Sequence, residues 1–599
     1  MTSPESPDAD SVPSGFDARM VLNEVLGAGT ITLMGVPQAI AYALIAGLPP
    51  VAGLYAAALP AVIGSAFRSS SQVVVGPTNA LSLLVGGALL AAGLAENPEQ
   101  AWASAIALAL LVGGFQVVAG LLRLGSIVDY ISRAVVLGYI TGAGLLIGFG
   151  QLGNITNTPM ARGDAWVRLQ SWGAGLADAD PRTIGLALLT AAGLVAMRRF
   201  TPRIPGTVVV LGGGVLLSWL FDFQGLGIRV AKDLAPVPQG LPPLTLPSLD
   251  PSLWQALLPA AFAATVLSLV ESSSVARSIA SQTGERLDMN REFVGTGLAN
   301  VAAGLTGGYP VSGSLARSSI AFRVGAHRLG AMLSGVFVLA VLLLLGPVVD
   351  LTPIASLAGL LLVVAADLVD RSAIRQVMRA LPGDRLAFVA TLAGTWTLPL
   401  DAAIYLGVAL SIILFLRRVR HLKVRELVIR DDRFREASDA DSAVSGPVPE
   451  NGADGRCRHI RVLHVEGNLF FGAASELQEA LDASVRNPEI HAVVVRLKRA
   501  RGMDYTTAGV LKSARERMAG RGRHLILAGM TPQTMALFDE LGVTEAFGAA
   551  SLFPTQSEWF VAMEAALREA RKRVEPVHHD DPDCPIDAYF AKRDAQNAS

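Results

Sequence analysis

The sequence predicts an α-helical membrane protein with fourteen transmembrane spans in a 7+7 inverted repeat, followed by a small cytoplasmic α/β domain. Hydrophobic residues make up 51% of the 599-residue chain and charged residues 17%, and a mean hydropathy of +0.46 is too high for a soluble protein of this size. Apolar runs fill the chain from about residue 21 to about residue 416. Two of these runs are broken by glycine and proline in corresponding positions of the two halves, which is typical of inverted repeats.

The predicted order begins with a polar leader over residues 1–18, which lacks the pattern of a signal peptide and is expected to be disordered and cytoplasmic. The transmembrane domain follows over 19–418, then a basic segment and linker over 419–456, the α/β domain over 457–572 and a charged, disordered tail over 573–599. The apolar runs place the spans near residues 21–47, 51–67, 77–94, 102–122, 132–152, 183–199, 206–222, 254–280, 292–307, 314–325, 328–349, 352–369, 384–399 and 401–416.

The arginines support this count and give an orientation. If the N-terminus is cytoplasmic, the even-numbered spans should end beside Lys and Arg, and Arg68, Arg123, Arg198 and Arg199 are among many that do. The short loops on the other side, such as 48–50 and 95–101, contain neither residue type. We therefore expect a multi-pass protein of the plasma membrane with both termini in the cytoplasm.

The second interrupted run extends from Gly307 to Ser319. Its first half breaks a helix, and its second half can begin one, with Ser312 or Ser314 as the cap. A helix that starts within the bilayer presents free N–H groups and a positive dipole end, and Arg317 adds a full charge in the first turn. An intramembrane arginine indicates a functional site that attracts anions, although an arginine that reaches the headgroups would explain it too.

The first interrupted run extends from Gln72 to Ser82 and passes through Gly76-Pro77 into a polar helix start. Pro77 is expected at the first helical position. In span one, Pro37 lies mid-span, and Gln38 and Tyr42 share one helical face. Gln38 could line a site or bond to a neighbouring helix.

Span eight contains the clearest intramembrane acid, Glu271. A carboxylate at that depth pairs with a cation or carries a proton, so Glu271 is a candidate proton carrier. Sodium is the less favoured coupling ion, because it needs several oxygen ligands. The alternative is that Glu271 neutralises Arg277 or Arg317.

Three motifs in order resemble the SulP family of anion transporters, the sulfate-permease group: PQ-xxAYA-xx-AGLPP-xxGLY from Pro37, Q-xxx-GP-xxx-xS from Gln72 and P-xSGSLARSS from Pro310. The resemblance implies a core domain that moves against a gate domain, a homodimer, and an anion bound between the starts of spans three and ten. This chain has Leu315-Ala316 before Arg317, where many relatives have a further serine, and the missing hydroxyl leaves the substrate open. The implied binding residues are Gln38, Tyr42, Gly76, Thr78, Asn79, Ser314, Leu315, Ala316, Arg317 and Ser318.

The C-terminal part begins with a basic segment, Arg417 to Lys423, that could contact anionic lipid. Runs at 460–465, 491–497 and 525–527 read as strands, and 474–485, 507–518 and 532–541 read as helices. Their order, with the 503–509 turn, resembles a STAS domain, which could bind a partner protein. Thr506 occupies a position that is phosphorylated in soluble STAS proteins, or it is a helix N-cap. Cys457 and Cys584 are expected to be reduced.

Several function classes compete with a transporter of sulfate, bicarbonate or a dicarboxylate. An enzyme would need a nucleophile, metal or cofactor within the spans, but no cysteine and no histidine lies well inside them, so no cofactor or metal is expected. A net charge of −1 gives no indication of nucleic acid. An anion exchanger, a channel or sensor with a STAS output, and a nucleobase symporter of the same fold remain open, as does exchange against symport.

Overall fold

The computed structural model describes residues 18–161, 165–201, 205–238, 240–248, 250–419, 422–437, 455–557, 560–578 and 584–598. The chain divides into two units, residues 1–412 and 413–599. The predicted leader lies outside the described residues, except for Ala18, where the first helix begins.

The first half of the membrane unit contains ten α-helices and a two-residue strand among the described residues. Its elements are α1 (Ala18–Ile45), α2 (Pro50–Ala57), α3 (Leu59–Phe67), β1 (Val75–Gly76), α4 (Asn79–Ala91), α5 (Pro98–Leu121), α6 (Arg133–Gly150), α7 (Leu152–Thr156), α8 (Ala165–Ala174), α9 (Pro181–Phe200) and α10 (Gly206–Phe221).

The second half repeats the pattern of the first: the third predicted span of each half consists of a two-residue strand followed by a short helix. Its elements are α11 (Pro251–Thr283), α12 (Met289–Leu305), β2 (Ser312–Gly313), α13 (Leu315–Val324), α14 (Arg328–Leu344), α15 (Gly346–Asp350), α16 (Ile354–Leu368), α17 (Arg371–Arg379), α18 (Pro382–Thr397) and α19 (Leu400–Val419).

Polar side chains cap the starts of several long helices. The capping residue accepts a hydrogen bond from a backbone N–H of the first turn, which would otherwise lack a partner. Proline occupies the first turn of α5, α9 and α11, where its missing N–H costs nothing. The capping residues are Asn97 for α5, Ser132 for α6, Asp180 for α9, Asp250 for α11 and Asp288 for α12.

Helix packing repeats between the halves. α5 packs against α11 and α12, and in the equivalent positions α14 packs against α1 and α3; likewise α6 packs against α18, and α9 against α16. The α5–α12 contact is close because glycines face each other: a Cβ on Gly297 would lie 2.8 Å from the Gly113 carbonyl oxygen. Small residues permit such approach of two backbones in a membrane. The helices form two groups, α1–α5 with α11–α14, and α6, α9, α10, α16 and α18, as expected for a core and a gate.

Each of the fourteen predicted spans coincides with a helix or a helix pair. Seven helical segments of the described chain are long and apolar enough to cross a membrane by themselves. The half-helices α4 and α13 contain 13 and 10 residues and therefore extend only about 20 and 15 Å, less than a hydrocarbon core of about 30 Å. The number of spans and their orientation stay predictions.

The C-terminal unit is a mixed six-stranded sheet with helices. The strand order is β4-β3-β5-β6-β7-β8, in which β5 to β8 are parallel and β3 and β4 antiparallel. The predicted strands and helices are confirmed. The elements are β3 (Lys423–Arg430), β4 (Arg433–Glu436), β5 (Ile460–Asn468), α20 (Ala474–Arg486), β6 (Ala492–Arg501), α21 (Tyr505–Ala519), β7 (His524–Met530), α22 (Pro532–Glu540), α23 (Val543–Phe547), β8 (Leu552–Pro554), α24 (Val561–His578) and α25 (Pro585–Ala598).

Two boundary predictions need correction. The 419–456 segment is not only a linker, because β3 and β4 lie within it and extend the sheet. The 573–599 tail is not disordered where the structure describes it: α24 runs through residue 573, and α25 buries Ile586 and Phe590 in the same apolar cluster as β5 and β6 residues. Cys457 and Cys584 are both buried in that cluster.

Candidate anion-binding site

The two interrupted runs meet at the centre of the membrane unit. β1 pairs with β2 in antiparallel register, Val75 opposite Gly313 and Gly76 opposite Ser312. The Ser314 N–H donates to the Val74 carbonyl at 2.9 Å, and the Val74 N–H donates to the Ser318 hydroxyl at 2.9 Å. Because a short helix begins within three residues after each strand, antiparallel pairing brings the starts of α4 and α13 together from opposite directions.

The start of α13 is open. Ser314 is the N-cap, and its hydroxyl accepts a long hydrogen bond of 3.5 Å from the Arg317 N–H. Leu315 is 56% exposed and Ala316 is exposed as well. The backbone N–H groups of these two residues make no hydrogen bond with any residue that the structure describes. They are thus available to an anion at the positive end of the helix.

Arg317 lies across the strand pair, with only 4% of its surface exposed. Its Nη2 donates to the Pro77 carbonyl oxygen at 2.8 Å. The guanidinium covers Gly76 so closely that a Cβ there would lie 2.4 Å from Nη1. The Nε atom is buried and without a hydrogen-bond acceptor in the described chain. The charge of span ten therefore lies at the start of span three.

The start of α4 differs from the prediction. The first helical residue is Asn79 and not Pro77, and Thr78 is the N-cap. The Thr78 hydroxyl does not cap the helix but donates to Glu271 Oε2 at 3.0 Å. The Asn79 Oδ1 accepts from the Ala80 N–H at 2.8 Å. Thr78 thus connects the intramembrane acid directly to the site.

Glu271 has no cationic partner in the described chain. Arg277 pairs instead with Asp129, at 2.5 Å, so the expectation that it could neutralise Glu271 is wrong. Arg317 uses Pro77 as its acceptor. The Glu271 carboxyl group is half-buried and accepts a hydrogen bond from the Thr78 hydroxyl.

Tyr42 and Gln38 approach the site from α1. Tyr42 is 7% exposed and lies close enough to Arg317 and Glu271 to interact with both charges. Gln38 is half-buried one turn earlier. Neither side chain makes a hydrogen bond with the described residues, so both retain polar groups for a ligand. A Cβ on Gly35 would lie 3.4 Å from Arg317 Cδ, which shows how closely α1 packs on this arginine.

Sequence reasoning missed the side chains that hold β2 in place. Buried Asn300 on α12 accepts from the Val311 N–H at 2.7 Å and donates to the Val311 carbonyl at 3.0 Å and to Gln116 at 2.9 Å. Ser268 also donates to the Val311 carbonyl, and Ser272 accepts from the Gly313 N–H at 2.8 Å. An amide inside a predicted span was the available signal for Asn300.

A buried ion pair fixes the chain before β1. Arg68 and Glu292 are 0% and 1% exposed at their side chains, and their charged atoms lie 2.5 Å apart. The Glu292 carboxylate also accepts from the Ser70 N–H at 2.6 Å and from the Ser69 hydroxyl at 2.8 Å. The sequence indicates Arg68 only as a charge that orients span two, and no local pattern connects it to Glu292.

In the C-terminal unit, Thr506 is exposed in the first turn of α21. The N-cap is Asp504, which accepts from the Thr507 N–H at 2.9 Å, while the Thr507 hydroxyl accepts from the Asp504 N–H at 3.2 Å. The alternative prediction that Thr506 caps the helix is therefore wrong, and its hydroxyl is accessible. Its phosphorylation stays a prediction.

Known proteins resemble both units. The model of the sulfate permease family matches residues 21–391 and that of the STAS domain residues 455–558. A probable sulfate transporter of Mycobacterium tuberculosis (strain CDC 1551 / Oshkosh), MT1781, is 31% identical over 68% of this chain and 72% of its own length. The murine anion transporter Slc26a9 in its inward-facing state superposes with a TM-score of 0.82 at 19% identity, over 94% of this chain and 93% of that one. The transmembrane domain of a cyanobacterial bicarbonate transporter, BicA, gives a TM-score of 0.57 at 24% identity, over 66% and 97%. With a family model that covers more than half of its length, and with broken helices that bring an arginine to two helix starts, this chain belongs to the sulfate permease family of anion transporters and is not an enzyme.

Proposed function

We propose that the protein is a secondary active transporter that moves a small oxyanion, with sulfate as the first candidate, together with a proton. The observation that supports this most is the antiparallel β1–β2 pair, which places the starts of α4 and α13 on either side of buried Arg317. Two helix dipoles and one guanidinium then act on the same small space.

The anion would bind in front of α13. The free N–H groups of Leu315 and Ala316 would donate to its oxygens, Arg317 would supply the compensating charge, and Gln38 and Tyr42 would close the site from α1. A permanent positive charge favours an anion over a neutral nucleobase. The contribution of Thr78, Asn79, Ser314 and Ser318 would be to fix the two helix starts.

The proton would bind to Glu271. A charged carboxylate bonded to Thr78 would repel an anion at the adjacent helix start. Protonation removes that repulsion, so anion and proton favour each other's binding, and this linkage is reciprocal. Symport follows if the core group of helices moves past the gate group only when both are bound. The names of the relatives suggest sulfate or bicarbonate as substrate, and we place the protein in the plasma membrane as a homodimer with cytoplasmic termini.

Uptake into proteoliposomes tests the proposal. Purified protein should accumulate radiolabelled sulfate when the outside is acidic and should lose this accumulation in the Arg317→Ala variant. Glu271→Gln should retain the Thr78 hydrogen bond and sulfate exchange but lose the response to the proton gradient. Glu96→Gln, which removes an acid from an outer loop, should behave as the wild type.

Other outcomes separate the alternatives. Bicarbonate or fumarate accumulation without sulfate uptake would correct the substrate. Rapid exchange with internal anion, but no accumulation under a gradient, would indicate an exchanger and refute the coupling role of Glu271. Unchanged uptake by a correctly folded Arg317→Ala protein would refute the assignment of the anion site.

A further inference from the structure

A second group of basic side chains lies on α9 and α16, outside the broken helices. A groove of about 640 Å³ runs between α9 and α16, which is within the range of small-molecule sites. Its walls include Val195 and Leu362, and its charged residues are Arg198, Arg199 and Asp367.

The groove has a net positive charge. Arg198 Nη1 lies 2.6 Å from Asp367 Oδ2. This ion pair connects α9 to α16, and its two charges compensate each other. Arg199 makes no ion pair or hydrogen bond with the residues that the structure describes. One guanidinium therefore remains to recognise an anionic group, and Arg198 is fixed beside it.

The apolar wall opens on a hydrophobic surface. Leu188, Leu189 and Val195 on α9 are 55%, 65% and 55% exposed, as expected for a helix face in contact with acyl chains. The arginines occupy the last turn of α9, at the end that the charge distribution assigns to the cytoplasmic interface. Complementarity to the helix dipole explains basic residues at a C-terminus, but it does not explain a groove that joins them to an apolar wall.

We propose that this groove binds an anionic glycerophospholipid, with the phosphate on Arg199 and Arg198 and an acyl chain along Val195 and Leu362. Arginine binds phosphate oxygens in pairs of hydrogen bonds, and the aliphatic wall suits the adjoining chain. A free inorganic anion would use the guanidinium groups but would gain nothing from the wall. A lipid therefore matches both the arginines, through its phosphate, and the apolar wall, through its acyl chain.

Native mass spectrometry of the full-length protein tests the lipid site. Delipidated protein would be titrated with phosphatidylglycerol and, separately, with phosphatidylcholine. We expect tight retention of phosphatidylglycerol alone, and an affinity roughly fivefold weaker for each arginine replaced in Arg198→Gln and Arg199→Gln. Arg379→Gln removes a charge from α17, outside the groove, and should leave lipid binding unchanged.

A substitution that is expected to strengthen lipid binding separates loss of the site from a folding defect, because a misfolded protein would not bind more tightly. Asp367→Asn removes the negative charge from the groove and should tighten phosphatidylglycerol binding, again by roughly fivefold. Equal retention of the two lipids would show that charge is not recognised and would overturn the proposal. So would an Arg198→Gln/Arg199→Gln double variant that binds phosphatidylglycerol as the wild type does, or release of the lipid by millimolar sulfate, which would identify a site for free anions.

Discussion

Gly76 provides the sharpest test of the anion site, because a single methyl group at this position would meet the guanidinium of Arg317. The Cβ of an alanine would lie 2.4 Å from Nη1, 2.7 Å from Nη2 and 2.8 Å from Cζ. Since carbon contacts are favourable only at about 3.5–4.0 Å, the guanidinium must move by about 1 Å. Its hydrogen bond to the Pro77 carbonyl oxygen, now 2.8 Å long, would break.

The cost should appear in folding as well as in binding. Gly76 has a φ of +159°, which an alanine adopts only with strain, and the guanidinium that must move is buried, with 4% of the Arg317 surface exposed. If the moved guanidinium loses one charge-assisted contact with the anion, the loss is about 1.5–3 kcal/mol. That corresponds to a dissociation constant about 12- to 140-fold higher.

Sulfate binding to purified Gly76→Ala protein, measured by isothermal titration calorimetry, gives the comparison. Gly114→Ala on α5 is the matched control, because a Cβ there meets nothing within 4 Å, and it should bind as the wild type does. A folded Gly76→Ala protein that binds sulfate with wild-type affinity would show that Arg317 does not hold the anion from its present position.

Three further predictions concern stability. Arg68→Met should lower the free energy of unfolding by about 3–5 kcal/mol, because it leaves Glu292 charged and buried, and Arg68→Met/Glu292→Leu should recover part of this in thermal melts. Asn300→Ala should cost about 1–3 kcal/mol through the unpaired Val311 groups and should slow sulfate uptake. Asn300→Asp should cost at least as much, because its second carboxylate oxygen would face the three oxygens that now accept from Asn300 Nδ2; wild-type stability of either variant would contradict a clamp on Val311. Burial, followed by the charges of two arginines, lowers the pKa of His524. His524 therefore binds a proton more tightly in the unfolded chain than in the folded one, so the protein should lose stability as the pH falls below the usual histidine pKa of about 6.5. The difference in melting temperature between pH 7.5 and pH 5.5 should be smaller in His524→Gln than in the wild type. An unchanged difference would show that His524 does not contribute to the pH dependence of stability.

The broken helices could be predicted because their cause is local. Glycine and proline interrupt each run, and Ser314 has the side chain that a cap requires. The exact start of α4 was missed because a tertiary contact decides it: pairing with Ser312 and Gly313 keeps Val75 and Gly76 extended, and the helix begins only after Thr78.

Partners far apart in sequence could not be predicted. Nothing near Arg68 indicates that it pairs with Glu292, and nothing near Arg277 that its partner is Asp129. The C-terminal tail is different, because apolar residues at helical spacing were present in its sequence, but its many charged residues led to the prediction of disorder. Ile586, Tyr589 and Phe590 have the spacing of one helical face, and all three are buried.

The strand pair at the site also has a consequence for synthesis. Val74, whose N–H donates to the Ser318 hydroxyl there, lies 244 residues before its partner. A ribosome adds about 5–20 residues per second, so at least about 12 seconds pass between the synthesis of Val74 and that of Ser318. During this time the first broken helix lies in the bilayer without the strand that pairs with its polar start. Arg317 reaches it only when span ten is made. A truncated chain that ends before β2 should therefore be the form most dependent on membrane chaperones.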